Sequence, residues 1–132
     1  IDKRGGRLMF KNIHHVAIIA SNYEVSKSFY VNVLGFEVIR EKLCIDRNSY
    51  KLDLKIGDSE IELFSFPNSP KRPSYPEACG IKHFVLIDDI EAAVNMLKDK
   101  GIETEEIRLD EYTNTRFVFF RDPDGLPLEL HE

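Results

Sequence analysis

The sequence predicts an α+β fold made of two β-α-β-β-β modules. Three observations carry this. A His-bearing apolar run occurs twice, as Ile13-His14-His15-Val16-Ala17-Ile18 and as Ile81-Lys82-His83-Phe84-Val85-Leu86. Each run leads into a helix-start signal and an amphipathic stripe that stops at a glycine. Each half then closes on a strand with a lone glutamate between apolar neighbours, Ile61-Glu62-Leu63 and Leu128-Glu129-Leu130. These landmarks recur about 67 positions apart, so one supersecondary unit is present twice.

In the first half, the run ending at Ile18 reads as a strand. Ser21-x-x-Glu24 is a capping box, in which the Ser oxygen and the Glu carboxylate satisfy orphaned N–H groups at a helix start. Val25, Phe29 and Val33 form the helical stripe, with Tyr30 and Leu34 beside it. Gly35 supplies the left-handed C-cap. Strands follow at about 36–46, 49–57 and 60–66, with Gly57-Asp58 as a turn. The second half repeats the order. Asp88-x-x-Glu91 starts a helix, Ile90, Ala93, Val94 and Leu97 form its stripe, and Gly101 ends it. Its strands fall at about 102–108, 115–121 and 126–131, with Asp122-Pro123-Asp124-Gly125 as a turn.

Pro67, Pro70, Pro73 and Pro76 fit neither a helix interior nor a central strand. Residues 67–78 therefore read as a connector between modules 9–66 and 79–132. A module of about 55 residues buries too little core to stand comfortably alone, so 9–132 is expected to be a single domain. Residues 1–8 are polar, precede Met9 and read as an expression leader. A net charge of −5 without a basic patch argues against nucleic acid as a partner. No apolar run approaches the roughly 18 residues of a membrane helix. Cys44 and Cys79 lack metal or redox spacing and fit a reducing compartment. The expected location is the cytoplasm, with no signal peptide.

The repeat also sorts the polar residues. Side chains alternate along a strand, so His14 and His15 are expected to point opposite ways. His15 matches His83, whereas His14 matches Lys82 and is expected at the surface. Glu62 and Glu129 each face away from apolar neighbours, toward the concave side of the sheet. A carboxylate there needs solvent or a cation. Two His and two Glu at matching positions point to one metal on a pseudo-two-fold axis. Such mixed ligands suit zinc, nickel, cobalt, manganese or iron, with positions left open for water or substrate. His131 shares the Glu129 face but reads as a C-terminal surface residue. Cys44 and Cys79 read as packing residues. Lys71, Arg72, Arg108 and Arg116 are candidates to grip an anionic substrate.

With those residues in view, the chain resembles the vicinal-oxygen-chelate (VOC) superfamily, and within it the glyoxalase I-like, lactoylglutathione lyase group. The resemblance runs from about Ile13 to Glu132. It is carried by His15-Val16-Ala17-Ile18, Phe29-Tyr30-x-x-x-Leu34-Gly35-Phe36, Ile61-Glu62-Leu63-Phe64, Gly80-Ile81-Lys82-His83 and Phe119-x-x-Asp122-Pro123-Asp124-Gly125-x-x-x-Glu129-Leu130. The stretch from Phe64 to Cys79-Gly80, with Tyr112-Thr113 and Phe117, is similar to the YaeR-like bacterial branch. The resemblance implies the glyoxalase/bleomycin resistance/dihydroxybiphenyl dioxygenase fold, a cup-shaped sheet around one divalent metal per site. It implies His15, Glu62, His83 and Glu129 as ligands, with nickel or cobalt favoured and zinc or manganese as alternatives.

The implied reaction converts the hemithioacetal of methylglyoxal and a thiol such as glutathione to a thiolester. Glu129 acts as the base, with Glu62 as its counterpart on the opposite face. Where some glyoxalases carry an Arg for the glutathione carboxylate, this chain has Asn32. Arg40 or a connector residue is then the candidate for that role. The implied partners are a small-molecule substrate and a second copy of the chain, because two modules from different chains often complete one site. The alternatives are another VOC enzyme (an epimerase, a thiol transferase or a dioxygenase) or a non-catalytic small-molecule binding module.

Overall fold

The computed structural model describes residues 9–69, 71 and 83–132, with the backbone alone at 83–86. Residues 1–8, expected to be a leader, Arg72 and Cys79, and most of the expected connector lie outside the described residues. The first half contains β1 (His15–Ile19), α1 (Tyr23–Ser28), β2 (Glu37–Cys44), β3 (Ser49–Ile56) and β4 (Ser59–Ser65). The second contains β5 (His83–Leu86), α2 (Ile90–Asp99), β6 (Arg108–Asp110), β7 (Thr115–Arg121) and β8 (Pro127–His131). The sheets have the same strand order, β1-β4-β3-β2 and β5-β8-β7-β6. In each, the first strand runs parallel to the last and the remaining pairs are antiparallel. This is the α+β class that the repeat predicts.

Alternation along the strands sends one face of each sheet inward. Leu52, Leu54, Ile61 and Leu63 are buried from the first sheet, and Val118, Phe120, Leu128 and Leu130 from the second. With Tyr30 of the first half and Ile90 and Leu97 of the second they form a shared hydrophobic cluster. Each fully buried aliphatic side chain there stabilises by about 1.5–3 kcal/mol. Ile90 and Leu97 anchor α2, and Ala93 and Val94 pack against the cluster, as their spacing predicts.

The helix starts differ from expectation by one residue. Asn22, not Ser21, caps α1 by accepting from the Val25 N–H at 3.2 Å. Asp89, not Asp88, caps α2 by accepting from the Ala92 N–H at 3.0 Å. Ser21 is instead engaged across the molecule, where its N–H donates to Asp124 at 3.1 Å and its hydroxyl donates to the other Asp124 oxygen. The α1 stripe is also shifted. The chain widens into a π turn over Phe29–Val33. Tyr23, Ser26, Phe29 and Tyr30 are buried, while Val25 is 51% exposed. Gly35 and Gly101 end the two helical segments at φ +77 and +80, where a side chain would be strained.

Several polar contacts join the halves. Asp122 is buried and closes its turn by accepting from the N–H groups of Asp124 and Leu126 at 2.9 and 2.8 Å. Its other oxygen accepts the Tyr30 hydroxyl at 2.8 Å. The Lys100 ammonium donates to the carbonyls of Asn32 and Val33 at 3.0 and 3.1 Å, where α1 runs out. The strand expected at about 102–108 is displaced. Thr104 makes an isolated bridge to Phe120, and regular pairing begins only at Arg108. The acidic stretch Glu103-Thr104-Glu105-Glu106 has low strand propensity, which accounts for the late start.

Candidate metal centre

The parallel pairing of β1 with β4 sets His15 level with Glu60 and Ala17 level with Glu62. Partners in a ladder share a face and faces alternate, so His15, Glu60 and Glu62 lie on one side of the sheet. That side is opposite the buried Ile61 and Leu63. His15 Nε2 stands 3.5 Å from Glu62 Oε2, with 46% and 27% of the two side chains exposed. An imidazole nitrogen and a carboxylate oxygen at that separation, open to solvent, suit two ligands of one divalent ion.

Basic and acidic side chains surround this pair. Lys51 Nζ lies 3.8 Å from Glu62 Oε2 and 3.9 Å from Asp53 Oδ1. Asp53 is nearly buried beside Glu62 and accepts from Arg40 Nε at 2.9 Å. Arg40 also donates to Glu60 at 2.7 Å. The hydrogen bond to Asp53 is the main reason the Arg40 guanidinium holds its proton even more firmly than usual. Sequence reasoning missed Lys51, Asp53 and Glu60. The alternation of Lys51, Asp53 and Lys55 with Leu52 and Leu54 was the available signal.

His14 departs from the expected geometry. It is 74% exposed, as expected, yet its ring meets the His15 ring edge-on at 5.2 Å and the two Nδ1 atoms are 3.0 Å apart. The strand begins only at His15, so pleating does not dictate where His14 points. Its Nε2 faces Glu60 Oε2 at 3.7 Å.

In the second sheet Glu129 stands between buried Leu128 and Leu130, and the ladder sets it opposite Phe119. Glu129 therefore occupies the non-core face with Phe117, Phe119 and His131. His131 is half-buried, contrary to the surface reading. Its Nδ1–H donates to the Glu132 carbonyl at 3.0 Å, and Nε2 lies 3.3 Å from the Thr115 hydroxyl. His83 opens β5 level with Leu128, and Phe84 is level with Glu129. This register is one residue out of step with that of β1 on β4. The side chain of His83 lies outside the described residues. Among the described residues, no group of three or more His, Cys, Asp or Glu is close enough to hold one metal ion. The His15–Glu62 pair stands on the first sheet and Glu129 on the second.

The remaining candidates separate clearly. Arg116 donates from Nε and NH2 to Glu132 at 2.8 and 2.9 Å and from NH1 to Glu91 at 2.7 Å, which makes it a structural clamp. Arg108 lies over the rings of Phe117 and Phe119 on the Glu129 face. Lys71 is exposed, and Cys44 is half-buried at the end of β2. An open cavity bordered by Tyr23, Tyr50 and Phe66 is lined by none of His15, Glu62 and Glu129. No helix among the described residues is long and apolar enough to cross a membrane.

This strand order, doubled around a shared core, agrees with the comparisons to known proteins. The profile of the Glyoxalase/Bleomycin resistance protein/Dioxygenase superfamily matches residues 12–130, and the chain belongs to that superfamily. The chain is 54% identical to the uncharacterized protein YwkD of Bacillus subtilis, over 95% of this chain and 99% of that one. It is equally similar to the uncharacterized protein YaeR of Escherichia coli, over 95% and 98%. The crystal structure of a glyoxalase family protein from Enterococcus faecalis superposes with a TM-score of 0.83 at 52% identity, covering 95% of this chain and 100% of that one. More distant relatives, each at 27% identity, carry three different activities in their names. They are a metallothiol transferase FosB from Staphylococcus haemolyticus (93% of this chain, 84% of that one), the human mitochondrial methylmalonyl-CoA epimerase (91% and 73%) and a probable lactoylglutathione lyase from Synechocystis (88% and 91%).

Proposed function

We propose that this protein is a metal-dependent lyase of the lactoylglutathione lyase type, which converts a hemithioacetal of methylglyoxal into a thiolester. The observation that carries the reading is the His15–Glu62 pair at 3.5 Å on adjacent strands, with Glu129 at the matching position of the second sheet. His15, Glu62, His83 and Glu129 would hold one divalent ion, with nickel or cobalt preferred. When bound there, such an ion would supply Lewis acidity for an oxygen-bearing substrate.

The protein's own groups do the rest. Glu129 takes the carbon-bound proton and returns it to the neighbouring carbon. Phe119 is its cross-strand neighbour on β7. Because the His15–Glu62 pair and Glu129 stand on different sheets, we assign the complete site to a homodimer, each site taking one sheet from each copy. The ligand set also requires β5 to present His83 on the Glu129 face. A cytoplasmic location and a single domain over 9–132 belong to the same proposal.

The distant relatives favour a second reading, thiol transfer or epimerisation at the same metal. The test is turnover by protein loaded separately with nickel, cobalt, zinc or manganese, given methylglyoxal with glutathione or a simpler thiol. Thiolester formation that stops on chelation supports the lyase. Metal bound without thiolester overturns it in favour of the second reading. Ligand binding indifferent to chelation leaves a non-catalytic binding module.

A further inference from the structure

We propose that the cavity beside Tyr50 and Ser65 is a binding site for a neutral, hydroxyl-rich ligand of the saccharide class. The site is separate from the candidate metal face and does not depend on the lyase reading.

The cavity measures about 690 Å³, within the range of small-molecule sites. It lies where the first sheet ends. Leu43 stands opposite Tyr50, and Tyr50 opposite Ser65. Alternation puts all three on the face of Ile61 and Leu63, opposite that of Glu62. Ser65 breaks the apolar pattern of that face. It is 9% exposed, and its hydroxyl has no hydrogen-bond partner among the described residues. A hydroxyl buried this far costs stability unless something in the cavity hydrogen-bonds it.

The other polar groups of the lining indicate what that partner is. Asn22 Oδ1 accepts the Val25 N–H, and Asn48 Oδ1 accepts the Tyr50 hydroxyl at 2.6 Å. Each amide therefore has its NH2 group left to donate. Glu24, in the first turn of α1, adds an acceptor. No lysine or arginine is among the described lining residues, so a phosphate or carboxylate ligand would meet no counter-charge. Hydroxyl groups both donate and accept, and so suit serine, amide and carboxylate together. Tyr50 supplies a fixed aromatic surface. The Tyr23 ring stacks against it at 5.0 Å, and Asn48 holds its hydroxyl. At the rim, Phe66 is stacked on Phe64 at 5.8 Å. Rings held in this way give the C–H face of a sugar ring a surface to stack on. Tyrosine with serine and asparagine combines rigid contact area with adaptable hydrogen bonding.

The test is NMR of the full chain titrated with maltose, trehalose or methyl β-glucoside. Cyclohexanol serves as a ring without the extra hydroxyls, and glucose 6-phosphate as a charged sugar. At least one neutral sugar is expected to shift the Tyr50 and Phe66 ring signals saturably at millimolar concentration, with the His15 signals left in place. Ser65→Ala and Phe66→Ala should each weaken that binding about 5-fold. Glu24→Gln, at an exposed position, carries the same expectation and decides the matter if Ser65→Ala does not fold. Arg47→Gln, outside the lining, should leave binding unchanged. Absence of shifts with all three sugars overturns the site. So does an equal response to cyclohexanol, tighter binding of glucose 6-phosphate, or sugar binding that survives the substitutions. Each outcome is read without metal or turnover, so the failure of this site leaves the lyase reading untouched, and the reverse.

Discussion

His15 presents Nε2 to Glu62 and Nδ1 to His14, so its neighbour influences which nitrogen carries the ring proton. When His15 Nδ1–H donates to His14 Nδ1, the Nε2 lone pair is free to bind a metal. Partners that orient a ligand in this way matter to metal affinity almost as much as the ligand does. Replacing His14 with Ala should weaken metal binding roughly 10-fold, measured by competition with a chromogenic chelator. An unchanged affinity would make His14 a bystander. The approach of His15 to Glu62 was legible because both residues recur in the repeat. Lys51 and Asp53 were not, because the repeat breaks at their positions. Asp53 stands opposite Glu62, whereas Phe119 stands opposite Glu129. A comparison limited to what the two halves share is blind to the residues that make one sheet charged and the other aromatic.

At the level of elements, the Tyr30–Asp122 hydrogen bond fastens the end of the first helical segment to the last turn of the chain. Both residues are buried, so Tyr30→Phe leaves one Asp122 oxygen without this donor. The expected loss is about 1–3 kcal/mol in denaturant unfolding. Leu63→Ala, at a fully buried position of β4, should cost about 2–5 kcal/mol by the same measurement. The sequence revealed where helices and strands occur more faithfully than where they begin. Both caps fall one residue later than the Ser and Asp signals suggest. Ser21 is drawn away by Asp124, 103 residues along the chain, and no local pattern carries that information. The π turn interrupts a helix that reads as continuous by its periodicity, and β6 starts late because the acidic residues before it disfavour a strand.

For the whole molecule, acid should be the destabilising direction. Lys27 and Tyr23 hydrogen-bond Glu41 and hold its carboxyl below the ordinary range, and Arg116 does the same for Glu132. A carboxylate depressed in the folded state stabilises fully above its unfolded pKa of about 4.3 and loses that contribution as pH falls through the folded value. Thermal midpoints should therefore be flat above about pH 5 and fall below about pH 4. Glu41→Gln should make that acid limb shallower; a limb as steep as the wild type's would remove Glu41 from the explanation.

The placement of Glu129 on one sheet and of His15 and Glu62 on the other gives a sharper prediction about assembly. Mixing Glu62→Gln with Glu129→Gln subunits should restore one intact site in each mixed dimer, because one site collects both substitutions and the other collects neither. Recovery of metal and turnover on mixing supports a site shared between copies, and no recovery places it within one chain. The most direct measurement remains the metal content of the protein purified without chelator or nickel affinity resin, beside that of the Glu62→Gln/Glu129→Gln double variant. The account predicts about one divalent ion per chain in the wild type, consistent with two composite sites per dimer, and near-complete loss in the variant. A folded double variant that keeps its full metal complement would contradict it.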